Sequence, residues 1–268
     1  NVICAQLRSL RLPVAIFDEM GEMARVPLSA RPSRHCVFAQ HMSYRAGLNV
    51  GKHLLALGHR QIAYISLSRK EEKSDLRWQG LRHAFAAQGE GFDAHFVRGD
   101  ALRSARENRA IAAHAQAEFE SRLHKDMKAI RLDSRNRAAL QGALFESVGR
   151  IYRQLWALPF LVGKFEKAIA DNSLSAWVLF NDEGAVQALN FLESCGKRIP
   201  RDLSLVGFDN SELAYSHGLA SYSFNNQALT SAMVNYLLSI EMPPGLKSLP
   251  HNVDIDGEVL NHGSLRHI

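Results

Sequence analysis

The stretch from Ala176 to Asn210, AWVLFNDEGAVQALNFLESCGKRIPRDLSLVGFDN, limits the possible folds more than any other. Ala176 to Phe180 is a short apolar run mixing β-branched and aromatic residues, the pattern of a buried strand. Asn181 and Asp182 interrupt it, and Asp182 can accept from the unpaired N–H groups of a following turn, so it is the expected helix N-cap. Ala185, Val186, Leu189 and Leu192 then recur on one helical face. Gly196 can take positive φ beyond the last turn, and Pro200 prevents the helix from resuming. A second apolar run, Leu203 to Phe208, ends on Asp209 and Asn210. Strand, helix and strand within this length make a parallel crossover, so both strands finish at one sheet edge. Open parallel sheets bind ligands beyond those carboxyl ends, which here carry Asn181, Asp182, Asp209 and Asn210.

The rest of the chain supplies similar units. Asn1 to Leu12 is helix-like and leads to a buried strand, Val14 to Phe17, that ends at Asp18. Gly21 to Arg34 reads as a loop, and Cys36 to Ala39 as a short strand. A helix from about Tyr44 buries Ala46, Val50, Leu54 and Leu57 and stops at Gly58, with His59 and Arg60 in the turn before a strand from Ile62 to Ser66. His59 is expected to pack and cap. After a polar lip, Ser66 to Asp75, comes a helix with Leu81, Ala84 and Phe85 inward and Gly89 at its end. Arg77 is expected in its first turn, where the helix dipole disfavours a cation; its guanidinium fork would suit vicinal hydroxyls or a carboxylate.

Between Gly99 and Ser175 the pattern becomes charged and alanine-rich, then apolar at Leu140, Leu144, Val148, Ile151 and Leu155, at spacings of three and four. Pro159 breaks this stripe, and Phe165 and Ile169 continue in a further helix. The segment reads as a helical hairpin whose apolar stripe is core or partner-helix surface, with subunit contact as a hypothesis. A last helix carries Met233, Val234, Leu237 and Leu238, and Met242 to Pro250 is a Pro/Gly loop.

Composition excludes several alternatives. No apolar run approaches a membrane span in length. Three cysteines, Cys4, Cys36 and Cys195, are too few and scattered for a disulfide framework or a zinc site, which favours a reduced, cytoplasmic setting. The formal charge of +5 lies mostly in mixed-charge stretches such as Arg103 to Arg137, where a solvated helix face explains it better than nucleic acid does.

The strand, Asn-Asp, helix, Gly, Pro, strand, Gly-Phe-Asp series of Ala176 to Asn210 resembles the effector-binding core of the lactose-repressor (LacI/GalR) family of bacterial transcription regulators. VGKHLLALGHRQIAYI, Val50 to Ile65, is similar to that family's helix, Gly-His-Arg, strand unit. Arg77 to Gly80, RWQG, resembles its Arg-x-x-Gly helix, and Val253 to Ser264, VDIDGEVLNHGS, its closing strand. The resemblance implies an α/β, two-lobed, periplasmic-binding-protein-like type I fold with parallel sheets flanked by helices. It further implies an incomplete N-terminal lobe, a missing DNA-binding head, and a helical insertion in the second lobe. The expected divisions are residues 1–58 for the remainder of the N-terminal lobe, 59–218 for the C-terminal lobe with its insertion at about 100–172, 219–250 for the return, and 251–268 for the closing strand and tail.

No GxSxG elbow, phosphate-binding GxxxxGK, HExxH motif or Cys/His cluster occurs, so binding is a simpler role than catalysis. The candidate ligand residues are Arg77, Asp209, Asn181, Asp18, Phe224, Asn226 and Trp78. Asp209 can accept from two adjacent hydroxyls, Asn181 can donate and accept, and Arg77 can donate twice. Phe224, helped by Trp78, could cover the flat face of a sugar or purine, while the resemblance has the pair Phe224 and Asn226 facing the cleft and Asp18 closing it from the other lobe. The partners implied are a small-molecule effector, operator DNA through a head outside this chain, and a second copy in a homodimer, with no cofactor, metal or membrane. The alternative is a solute-binding protein of a sugar transporter, which shares the fold.

Overall fold

A computed structural model describes residues 13–19, 35–66, 72–97, 161–238 and 252–268. The expected helix over 1–12, the loop over 21–34, the charged and apolar stripes before Pro159 and the loop over 242–250 lie outside the described residues. The chain divides into two compact units, Asn1–Phe96 with Ser173–Ile268, and Val97–Asn172. Within the second unit, a helix over 161–170 (α3) buries Leu161, Phe165 and Ala168.

The first unit holds two sheets. In the smaller, β1 (Val14–Asp18) lies parallel to β2 (His35–Gln40), which lies parallel to β8 (Asn252–Ile255). In the larger, the order is β4 (Asp93–Phe96), β3 (Gln61–Ile65), β5 (Ala176–Leu179), β6 (Ser204–Phe208), β7 (Ala220–Ser223) and β9 (Glu258–Leu260), all parallel save β9. The chain enters at β3, steps to β4 on one side and returns to β5 on the other. That reversal of winding direction between β3 and β5 opens a crevice at their carboxyl ends.

Helices α1 (Tyr44–Ala56) and α2 (Glu72–Ala86) pack against one another and on the larger sheet. Their contact is close because of glycine. A Cβ on Gly47 would stand 1.9 Å from the Arg77 carbonyl oxygen, and one on Gly80 would stand 2.0 Å from that of Tyr44. The Gly of the Arg-x-x-Gly motif therefore serves helix packing. Ala46, Val50 and Leu54 of α1 join Leu81, Ala84 and Phe85 of α2 and Ile62, Tyr64, Val178 and Val206 in one core. At the end of α1, Gly58 sits at φ +93°, with Gly58 N–H on the Leu55 carbonyl and His59 N–H on that of Leu54. These are the paired bonds of a glycine-terminated helix.

Those contacts move the expected lobe boundaries. Helix α1 belongs to the larger sheet, so the chain crosses at 41–43, not at 58–59. Strand β7 also belongs there, so the return begins after Ser223, not at 219, and leads into α6 (Asn226–Leu238). The expected closing strand is two: β8 in the small sheet and β9 in the large one. Two apolar faces differ as well. Phe17 is 44% exposed, so β1 is not the buried strand expected. In α6, Leu229, Ala232, Met233 and Tyr236 pack on Cys36 and Phe38, while Val234, Leu237 and Leu238 face outward.

Helix α4 (Asp182–Ser194) and the short α5 (Glu212–Ser216) complete the larger layer. Gly196, at φ +75°, ends α4 as expected. Its buried apolar positions are Ala185, Ala188 and Leu192, with Val186 and Leu189 only half-buried.

Candidate functional site

The carboxyl ends of β5 and β6 are adjacent, because Trp177 pairs with Leu205 and Val178 with Val206. Asn181 and Asp209 thus stand on one rim. Of the two polar residues after β5, Asn181 and not Asp182 caps α4: its Oδ1 accepts from Gly184 N–H at 2.8 Å. Asp182, 1% exposed, is the first helical residue and turns toward β6 and β7. Its carboxylate accepts from Ser211 N–H at 2.7 Å, Ser211 Oγ at 2.8 Å and Ser221 Oγ at 2.6 Å. Burial raises its pKa, and those hydrogen bonds oppose the rise.

Asp209 behaves otherwise. It is exposed, and among the described residues its carboxylate makes no hydrogen bond. It takes φ +106°, with Asn210 following at +46°. The protein atoms crowding this mouth push its pKa up to about 6; Arg77 and Lys73 pull it back, while Asp182 and Glu183 push it further. The Asp209 carboxylate is thus held at the rim in a backbone conformation that non-glycine residues rarely adopt.

Arg77 lies in the second turn of α2, not the first, since the helix begins by Glu72; the dipole argument for an external partner therefore does not apply. The side chain is 8% exposed. Its Nε donates to the Met42 carbonyl at 2.9 Å and one terminal nitrogen to the Phe180 carbonyl at 2.6 Å. The guanidinium carbon lies 4.5 Å from the Phe208 ring centre and 5.2 Å from that of Phe224. Arg77 thus ties the crossing at 41–43 to the end of β5 while keeping a positive charge near Asp209. Two of its five N–H donors are given to backbone carbonyls.

Phe224 is 3% exposed and stacks on Phe208 at 6.4 Å between ring centres, with Tyr222 edge-on at 5.3 Å. It underlies Arg77 and is not an open wall in this arrangement. Trp78 is withdrawn from the site: it packs edge-on to Phe96 of β4 at 5.5 Å, with Arg82 over its ring, because the next residue of a helix points about 100° away from Arg77. Asn226 accepts at Oδ1 from Gln40 Nε2 at 2.7 Å, and the same nitrogen donates to the Phe224 carbonyl at 2.6 Å. Gln40 therefore bolts the first crossing to the second. Asp18 ends β1 at 7% exposure, and its neighbour Glu19 pairs with Lys73 of α2, which brings the small sheet's carboxyl edge to the same side. Arg45 joins the third crossing, at 3.5 Å from Asp254 and 3.2 Å from Asp256.

Ser211, Ser221, Gln40, Lys73 and His262 went unsingled by the sequence reading. Only Ser221 carried a signal, as a serine beside Tyr222 at the start of the passage that leads to the last helix. Among the described residues there is no His, Cys, Asp and Glu group that could hold a metal, and no helix is long and apolar enough to cross a membrane.

Two sheets joined by three crossings, with a polar rim at a winding reversal, define a two-lobed ligand-binding fold. A family model described as a periplasmic binding protein-like domain matches residues 52–255. The chain belongs to that family. A search of curated proteins gives no match. Among solved structures, a LacI transcriptional regulator from Rhodococcus species aligns over 100% of this chain and 83% of its own, at 17% identity and a TM-score of 0.53. A sugar-binding LacI-family regulator from Escherichia coli, complexed with phosphate, aligns over 95% of this chain and 77% of its own, at 17% identity and a TM-score of 0.50. The fold is that of the effector-binding core of such regulators.

Proposed function

We propose that this chain is the effector-sensing core of a bacterial transcription regulator, that its ligand is a neutral, hydroxyl-rich molecule such as a sugar, and that binding is communicated to operator DNA by a head outside this sequence. One observation carries the reading: the carboxylate of Asp209 stands unengaged among the described residues, at the carboxyl end of β6 and beside the winding reversal. Two adjacent ligand hydroxyls can donate to its two oxygens, and the Asn181 amide nitrogen can donate from the next strand. Asp18 and Asn226 would meet the ligand from the small-sheet side, with Arg77 and Phe224 as the floor.

Coupling follows from the crossings. A ligand touching both sheets shifts the balance between open and closed forms only by its difference in affinity for them. A coupling of about 1–3 kcal/mol would change DNA affinity roughly 5- to 150-fold. The reading also takes the protein as a non-catalytic homodimer in the cytoplasm, the last in keeping with Cys36 and Cys195 forming no disulfide.

The test is calorimetry of the chain against neutral mono- and disaccharides, sugar phosphates and nucleobases. A neutral sugar should bind, and Asp209→Ala should weaken it at least about tenfold, or some 1.4 kcal/mol, with the melting temperature of the unliganded protein unchanged. A hit that Asp209→Ala leaves untouched would place the pocket elsewhere.

A further inference from the structure

The rim turn after β6 is held residue by residue. Asp209 N–H donates to the Tyr222 carbonyl at 3.0 Å, Asn210 N–H to Ser221 Oγ at 2.8 Å, and Ser211 N–H to Asp182 Oδ2 at 2.7 Å. His262, in the C-terminal tail, donates from Nε2 to Asn210 Oδ1 at 2.9 Å. Its own placement is secured by Ser264, whose Oγ accepts from Ala220 N–H at 2.7 Å and whose carbonyl accepts from Leu205 N–H at 2.9 Å. Ser221 closes the circuit by donating to Asp182 Oδ1. Gly207 makes room for this carboxylate: a Cβ there would stand 2.4 Å from Asp182 Oδ1.

These bonds converge on two consecutive non-glycine residues at positive φ, Asp209 and Asn210, which an unsupported chain rarely adopts. We propose that Asp182, acting through Ser211 and Ser221, and His262, acting through Asn210, are positioning residues that hold Asp209 in the left-handed conformation presenting its carboxylate to the ligand. The assignment rests on the reading of Asp209 as the ligand acceptor, but the network has a readout that needs no ligand.

The groups facing Asp209 are Arg77 and Lys73 from α2 and Asp182 and Glu183 from α4, while His262 faces Asp182 from the tail. Carbon-13 NMR of the labelled chain reports the Asp209 carboxyl titration and the Cα shifts of Asp209 and Asn210. In Asp182→Asn the titration midpoint of Asp209 moves to lower pH, because a neighbouring negative charge is gone. In Ser211→Ala and His262→Ala the two Cα shifts move away from their left-handed values while those of β5 stay fixed, and Ser211→Thr, which keeps the hydroxyl, restores them. Should Asp182→Asn fail to fold, the serine and histidine variants decide the matter alone. An unchanged midpoint and unchanged rim shifts in the folded variants would overturn the proposal. Rim shifts that respond in a protein that binds no sugar would leave the network standing and remove the ligand reading instead.

Discussion

The two sheets of the first unit are built to different standards. In the six-stranded sheet, β5 and β6 are buried along their whole length, and a single cluster gathers residues from α1, α2 and five strands. In the three-stranded sheet, β8 alternates exposed with half-buried positions, β1 leaves Phe17 in the open, and the buried cluster is Cys36, Phe38 and Leu229. A fully buried aliphatic or aromatic side chain contributes about 1.5–3 kcal/mol, so the larger sheet has far more to hold it. The small sheet depends instead on ties to its neighbour: the Gln40 bolt, the Arg45 bridges to Asp254 and Asp256, and the Lys73–Glu19 pair. A well-packed body that carries the rim and a more lightly held partner is the arrangement that the proposed ligand-responsive switch would need.

The strongest way to break this comparison is to loosen the larger body at its tightest point. Gly80→Ala should favour an isolated helix by about 1 kcal/mol, since alanine is the better helix former. Packing dictates the opposite sign. The new Cβ would meet the Tyr44 carbonyl oxygen at 2.0 Å and the Leu48 nitrogen at 2.6 Å, both backbone atoms that cannot swing aside. The expected result in urea is a net loss of more than about 2 kcal/mol. A stabilised variant would show that the α1–α2 contact is looser than the structure has it.

Next in size is an acid effect within the same body. His59 is fully buried, its Nδ1 lies 2.9 Å from Ser175 Oγ, and burial lowers its pKa to about 4. An unfolded histidine titrates near 6.5, so between those values the unfolded chain binds the extra proton. Stability from this group is whole above pH 6.5 and falls as pH drops toward 4, by about 3 kcal/mol at most. Asp209 works in the reverse direction: its pKa of about 6 lies above the ordinary 3.8, so stability from it falls as pH rises through 6. Its exposure keeps that contribution small. Denaturation at pH 7.5 and at pH 5 should therefore show the wild type weaker in acid, and His59→Gln should lose most of that difference.

Much of the larger body was legible in the sequence because its signals are local. The apolar runs before Asn181 and Asp209, the α4 periodicity and the glycine stops at Gly58, Gly89 and Gly196 each depend on a few neighbouring residues. What was misread depends on distant ones. Asn181 and Asp182 are both good caps, and only Ser211 and Ser221, 29 and 39 residues away, draw Asp182 off to another task. The stripe of α1 shows that it buries a face but not against which sheet. In the second half of helix α6, from Ala232 to Leu238, apolar residues stand on both faces, so periodicity could not choose between the Leu229–Met233 face and the Val234–Leu238 face. Arg77 was picked for its charge, yet its fixed partners are carbonyls of Met42 and Phe180, which no residue pattern encodes.

The smallest expected effect falls on the joint itself. Gln40 is 2% exposed, and its amide nitrogen serves both the Phe224 carbonyl and the Asn226 side chain. Gln40→Ala leaves that carbonyl without its donor, a cost of about 1–2 kcal/mol. If the small sheet is held mainly by such ties, the loss should not spread evenly. Hydrogen exchange should quicken in β2, β8 and α6, while the amides of β5 and β6 keep their protection, because opening of the lighter sheet leaves the larger core assembled. Equal acceleration in both sheets would mean that they unfold as one unit and that the contrast in burial has no energetic counterpart. Confined acceleration would identify Gln40 as the bolt whose release sets how easily the small sheet moves over the Asp209 rim, and would predict weaker sugar binding from a residue that need never touch the sugar.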